Sequence, residues 1–403
     1  MRARFAPFAV PAAAALLATW LVASVTMATF AFSDYDNEAK PAVDLLVAGD
    51  LAGFAGHLPA YGGSLVLRAP FPLLPGLWGG GEEAVFRTLA VPCLLAAAAL
   101  GVALWRPGRA GWIALLVCVA NPLTRQALDL GHPEELLGGA LCAGAVLAAL
   151  RDRPLLAGLL LGLALANKAW ALLAVVPVLT ALPAGTRVRA LLVAVPVAGV
   201  LVAPMALGGS GAAAAGSAHD TGVIFQPWQL WWFLGEHGHV VRGLGGMVKE
   251  GYRAAPGWLG PIAHPTVLAA GVLAGAVFAR RDRQVALPLL ALVLGLRCVL
   301  DPWNTDYYAL PCIFALAAWR PVLALAVTAL AWVTLVQLPG LVTPDVQAAA
   351  YLAWAVPGVV WLARRCRELA AGGSDVAAAG EADGGAHAVL LEGVPEGGDR
   401  LAA

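Results

Sequence analysis

The chain has 403 residues, 60% of them hydrophobic and 12% charged, with a formal net charge of zero and a mean hydropathy of +0.78. A soluble domain carries about 25% charged residues, so composition excludes an ordinary soluble protein, and balanced charge offers no basic footprint for nucleic acid. Apolar stretches of membrane-crossing length recur along the chain, the pattern of a polytopic membrane protein.

The first apolar run, about 8–32, follows Arg2 and Arg4. It is too long for a secretory signal and lacks a clear small-x-small cleavage site, so it reads as the first helix. Further apolar segments fall near 84–105, 110–124, 134–150, 154–167, 169–184, 190–208, 263–279, 285–300, 307–319, 321–338 and 346–363. That makes about twelve, several shorter than the roughly 20 residues of a simple span and so short or re-entrant. The expected fold is an all-α transmembrane bundle over residues 1–370, followed by an acidic, Gly/Ala-rich tail, 371–403, expected to be disordered. Cys93, Cys118, Cys142, Cys298, Cys312 and Cys366 form no CxxC pair, and neither a disulfide framework nor a metal site is expected.

Threaded in alternation, the clusters Arg106/Arg109, Arg151/Arg153, Arg187/Arg189, Arg280/Arg281/Arg283, Arg320 and Arg364/Arg365/Arg367 share one side with both termini. The positive-inside rule makes that side cytoplasmic in a multi-pass cell-membrane protein. Residues 154–184 contain a single polar break, Asn167-Lys168. One long helix would hold a lysine in mid-bilayer at a cost of about 2.5–3.5 kcal/mol, and would invert every later arginine cluster. Two short helices meeting near the outer surface at Lys168 fit better.

Two outer loops are long, 33–83 and 209–262. In the first, Val43, Val47, Leu51, Phe54 and Leu58 recur at helical spacing, predicting an amphipathic helix on the surface. In the second, QPWQLWWFL (226–234) places Trp228, Trp231 and Trp232 as interface anchors or, less often, a sugar platform. The sequence contains no internal repeat, nucleotide-binding glycine motif or HExxH.

The polar residues gather at outer helix junctions. FSDYDNEAKP (32–41) supplies Asp34, Asp36 and Glu38. NPLTRQALDLGHPEELL (121–137) supplies Arg125, Asp129, His132, Glu134 and Glu135. Lys168 follows, then RCVLDPWNTDYYALP (297–311) with Arg297, Asp301, Asn304, Asp306, Tyr307 and Tyr308. The first-loop acids sit beyond a helix C-terminus, where the dipole disfavours them, so capping does not explain them. Glu134 and Glu135 open a helix after Pro133, where acids suit the dipole and need no functional role.

Over most of residues 8–363 this arrangement resembles the GT-C membrane glycosyltransferases, especially the family-87 type that uses polyprenyl-phosphate mannose. The shared elements are Asp34-Tyr35-Asp36 in the first outer loop, LDLGHPEELL opening a helix, AGLLLGLALANKAW with a lysine at its turn, and the late DPWNTDYY loop. Many relatives carry Gly-Gln where this chain has Gly131-His132.

The resemblance implies transfer of a hexose, most often mannose, from a polyprenyl-phosphate donor to a glycan or glycolipid acceptor on the extracytoplasmic face, without a cofactor. It implies a general base on the first loop, Asp34 first and Asp36 second. Lys168, Arg125 and Arg297 become candidates to hold the departing phosphate, and His132, Asp301, Asn304 and Tyr307 candidates for substrate contact. Against these stand simpler assignments: Arg125 and Arg297 neutralising Asp129 and Asp301, a snorkelling Lys168, and a turn-capping His132. The rival functions are a transporter or lipid-sugar flippase, for which ionisable groups belong nearer mid-bilayer on repeated broken helices, and a non-catalytic membrane scaffold.

Overall fold

A computed structural model describes residues 2–25, 33–211, 225–242, 247–278 and 283–371. Among them every regular element is helical, and the only pairings between extended segments are isolated bridges such as Glu236 with Ala254. The α-helices are α1 (Arg2–Val25), α2 (Lys40–Val47), α3 (Leu51–Gly56), α4 (Gly62–Arg68), α5 (Glu82–Leu104), α6 (Arg109–Val119), α7 (Pro122–Asp129) and α8 (Glu134–Leu150). They continue as α9 (Pro154–Asn167), α10 (Val175–Ala181), α11 (Arg187–Leu207), α12 (Leu259–Phe278), α13 (Ala286–Leu300), α14 (Leu310–Trp319), α15 (Pro321–Ala331) and α16 (Pro344–Ala370).

Five segments are long and apolar enough to cross a membrane: Glu82–Leu104, Ala184–Leu207, Leu259–Phe278, Arg283–Leu300 and Pro344–Ala370. Shorter apolar helices lie between them. Prolines start several of these elements, at Pro122, Pro154, Pro321 and Pro344, where the missing N–H is no loss and the fixed φ already suits a helix.

The centre of the bundle is α8, buried along nearly its whole length, with α5, α9 and α14 against it and α13 packed beside α14. Its inner residues are Ala, Gly, Leu and Cys, which let neighbouring backbones approach. The same logic joins α9 to α11. Gly158 and Gly162, one turn apart, face Ala190 and Ala194, and a Cβ on either glycine would lie 2.3 or 2.6 Å from a carbonyl oxygen of α11. By contrast α11, α12 and α16 turn much of their apolar surface outward, as lipid-facing helices do.

The apolar segments read from the sequence all occur as helices, though 110–124 ends at Val119 and a separate helix, α7, begins at Pro122. The 154–184 question resolves into two pieces: α9 ends at Asn167, Lys168 is extended (φ −161°, ψ 139°), and a 3-10 turn, Ala169–Ala174, leads into α10.

Two expectations need correction. The first-loop amphipathic helix is two helices, α2 and α3. Gly49 takes a positive φ of 82°, and Asp50 restarts the chain by accepting from the Gly53 N–H. Val43, Phe54 and Leu58 are buried whereas Val47 and Leu51 are exposed, so the segment packs on the bundle through part of the expected stripe. The tryptophans of 226–234 are neither anchors nor an open platform. Trp232 is fully buried, stacked on Phe225 and bonded through Nε1 to Asp345, while Trp231 donates to the Leu300 carbonyl. An indole N–H needs a partner once buried, and for Trp231 and Trp232 the protein supplies it. The stretch 26–32 of the first apolar run and the tail from 372 lie outside the described residues.

Candidate active site

The turn from α7 to α8 builds the site. Asn121 caps α7 by accepting from the Leu123 N–H, and after Asp129 the chain reverses at Gly131, whose φ of 89° favours glycine. A Cβ there would also lie 2.5 Å from the Tyr35 backbone nitrogen, so Gly131 is the floor on which the first loop rests. The Asp34 N–H donates to the Leu130 carbonyl at 3.1 Å, and Tyr35–Ala39 form one π-helical turn, an irregularity often found at functional sites. The His132 N–H closes the turn onto the Ala127 carbonyl at 2.7 Å, and Glu134 begins α8.

Two layers of charge result. In the inner layer Glu134 and Glu135 are fully buried at the start of α8. Lys168 bridges them, with Nζ 3.1 Å from Glu134 and 3.0 Å from Glu135. Arg297, from the last turn of α13, makes two bonds of 3.1 Å to the two oxygens of Glu135. Its guanidinium is stacked between the rings of Trp170 and Tyr308, 4.8 and 4.1 Å from their centroids. Arg68, from α4, lies 3.6 Å from Glu134 and donates to the Ser64 carbonyl. Asn167 ties the layer together, accepting from Ser64 at 2.7 Å and donating to the Glu134 carbonyl at 2.9 Å. Three cations thus face two carboxylates, and each carboxylate in so dry a place requires such partners.

The outer layer is held by His132. Its Nδ1 meets Glu134 at 2.6 Å and its Nε2 meets Asp34 at 2.9 Å, so one imidazole links the buried carboxylate to the rim. Tyr61 packs edge-on against the ring at 5.4 Å and Tyr307 lies over it at 5.2 Å. Burial alone would lower the His132 pKa. The Glu134 carboxylate beside it, together with hydrogen bonds to Asp34 and Glu134, outweighs this and raises it to about 9. His132 is therefore charged at neutral pH and donates in both directions. Asp34 remains a quarter exposed, so its carboxylate is both oriented and reachable.

Burial, with a contribution from Asp34, raises Asp306 in the late loop to about 7. Desolvation by its neighbours raises Glu38 as well, against the pull of His132, although its side chain still reaches the surface. Asp34, Glu38 and His132 each present a ligand atom within 4.8 Å of one another, a spacing that admits a cation if His132 gives up its proton.

The sequence candidates divide accordingly. Asp34, His132, Lys168, Arg297 and Tyr307 meet in this cluster. Asp36 turns back to accept from Ser33 and fixes its own turn. Arg125 forms an exposed pair with Asp129 one turn on, as its simpler assignment held. Asp301 accepts from the Trp303 N–H, and Asn304 donates to the Trp228 carbonyl and to Tyr351, so these two shape the late loop. Comparison of the chain with protein-family profiles, curated proteins and solved structures finds no match.

Arg68, Asn167, Tyr61, Glu134 and Glu135 are site residues that nothing in their local sequence marks, and the last two are the hub of the cluster. A helix-opening acid pair has an ordinary local explanation; only the arrival of Arg68, Lys168 and Arg297 from distant segments removes it. One sequence signal was available. The only lysine in an apolar hairpin needs an acid, and at the same predicted level 134–135 offers two in succession.

Proposed function

We propose that this chain is an integral-membrane glycosyltransferase of the GT-C kind, moving a hexose, with mannose the leading candidate, from a polyprenyl-phosphate donor to a glycan or glycolipid acceptor. The reaction would take place on the extracytoplasmic face of the cell membrane, the face opposite the arginine clusters. The observation that carries this reading is the layered site: a reachable Asp34, oriented by His132, above a buried layer in which cations outnumber carboxylates.

In that reading Asp34 takes the proton of the acceptor hydroxyl. The acceptor oxygen bonds the anomeric carbon, and the bond from that carbon to the phosphate oxygen breaks, its electron pair leaving on the lipid phosphate. An inverting displacement would require base and leaving group to lie on opposite faces of the sugar. Lys168, still partly exposed beside its carboxylates, and the excess positive charge behind it stabilise the departing anion. His132 keeps the Asp34 carboxylate aimed. With that histidine charged, the rim holds its own compensating cation, and the scheme assigns no metal a step.

A second reading, a transporter or lipid-sugar flippase, draws on the extended break at Lys168 between two short apolar helices. One experiment separates the two. Purified protein in proteoliposomes receives a labelled polyprenyl-phosphate hexose and an envelope glycolipid extract. Transfer predicts a glycosidic product and release of polyprenyl phosphate; transport predicts movement of the label across the vesicle with the donor intact. Intact donor under all conditions would remove the transferase reading.

A further inference from the structure

The far end of α8 carries a second feature, independent of the site at Glu134. A groove of about 260 Å³ runs between α5, α8 and the start of α9, walled by small and aliphatic side chains. Ala99 and Ala103 of α5 and Leu156 of α9 stand at its open side, and Gly144 of α8 forms part of its back wall. From Ala96 to Ala103 it is about 10 Å long at 1.5 Å per residue. Its mouth is formed by Arg151 and Arg153.

Among the described residues, no carboxylate balances the charge at that mouth. The carboxylate between the two arginines, Asp152, points elsewhere: its residue takes a positive φ of 55°, and its Oδ1 is held at 2.8 Å by Arg283. Arg283 also donates to the carbonyls of Ala149 and Leu150, fixing that turn. Among the described residues neither Arg151 nor Arg153 forms an ion pair. Arg106, just past the end of α5, adds a third positive charge close enough to act on Arg151, and its Nη1 bonds the carbonyls of Ala103 and Trp105. No acidic side chain lines the groove.

An apolar slot open to the lipid-facing surface, with unpaired guanidinium groups at the membrane interface, matches one class of ligand. We infer that this groove binds an anionic phospholipid, one acyl chain lying between α5 and α8 and the phosphate meeting Arg151 and Arg153. Guanidinium groups pair with phosphate oxygens through directed hydrogen bonds, and a chain of methylenes covers the apolar walls. The inference stands whether or not the chain transfers sugars.

Two kinds of variant test it. Arg151→Gln/Arg153→Gln removes the headgroup contacts. Gly144→Leu fills the slot, and at this position an added Cβ meets only Leu160 Cδ1, at an ordinary 3.4 Å, so the helix accepts it without a backbone clash. Each protein is purified in detergent, incubated with phosphatidylglycerol or phosphatidylcholine, and analysed by native mass spectrometry, with thermal unfolding confirming the fold. The unmodified protein is expected to retain phosphatidylglycerol in preference to phosphatidylcholine. The double arginine variant should lose roughly 25-fold in phosphatidylglycerol affinity, about five-fold for each charge removed. Gly144→Leu should reduce retention with both arginines still in place. Equal retention of the two lipids, or unchanged phosphatidylglycerol binding in either variant, overturns the assignment.

Discussion

The two ends of α8 handle charge in opposite ways. At the Glu134 end, two carboxylates and three cations lie within 3.6 Å of an opposite charge, and a histidine carries the network out to the rim. At the Arg151 end, about 25 Å away at 1.5 Å per residue, positive charges face the surface, and among the described residues they have no acidic partner beyond Asp152, which Arg283 has taken. Burial explains the difference. Charge removed from solvent must be matched by the protein itself, whereas charge at an interface can be left for the bilayer to match. The first end is thus suited to fixed chemistry and the second to a diffusible lipid.

Unbalancing the buried end should have the largest effect on stability. Glu134→Gln removes the negative charge that faces Lys168, Arg68 and His132, and should cost about 3–5 kcal/mol in reversible unfolding in detergent. A loss below about 1 kcal/mol would mean that the inner layer is wetter and looser than its geometry implies. Gly131→Ala strikes the same end through the backbone. The positive φ and the nearness of Tyr35 should together cost about 1–3 kcal/mol and release the first loop, seen as faster proteolysis near Asp34.

Titration sharpens the contrast. His132 has its pKa raised from the ordinary 6.5 to about 9, so its stabilising link to Asp34 and Glu134 is complete below about pH 6.5 and is lost as pH rises through 9. Sugar transfer should fall over that alkaline limb, and His132→Gln should abolish the limb while retaining part of the activity. An unchanged pH profile in that variant would remove His132 from its positioning role. Asp306 has the same sign over a lower pH window. Its pKa is raised from the ordinary 3.8 to about 7, so stability falls as pH rises from about 4 and the loss is complete above about 7; Asp306→Asn should raise the melting temperature at pH 8 with little effect at pH 4. The smallest effect belongs to the exposed end. Arg151→Gln/Arg153→Gln should change unfolding by less than about 0.5 kcal/mol per site and leave transfer unaltered.

These two ends also differ in how much of them the sequence made legible. Helix positions followed from apolar runs, and the break at Lys168 from the cost of burying a lysine. Asp34, His132, Lys168 and Arg297 stood out because polar residues are scarce in such a chain and fall at helix junctions. Arg68 did not, because it lies in a loop segment whose short helix, α4, turns the side chain inward against Glu134. The geometric ground for ranking Asp34 above Asp36 is equally absent from the sequence. Both stand in the same five residues, and only the π-helical turn aims one at His132 and returns the other to Ser33. The arginine groove was read as topology alone, because the fate of Asp152 depends on Arg283, far along the chain.

The most direct test compares Asp34→Asn with Asp36→Asn in the purified, folded protein, following hexose transfer from a polyprenyl-phosphate donor. Loss of a general base predicts a fall of about 10²–10⁴-fold for Asp34→Asn, with Asp36→Asn within a few fold of the unmodified protein and both melting normally. Full transfer by Asp34→Asn, or an equal collapse of both variants, would contradict the assignment of the His132-held carboxylate as the base.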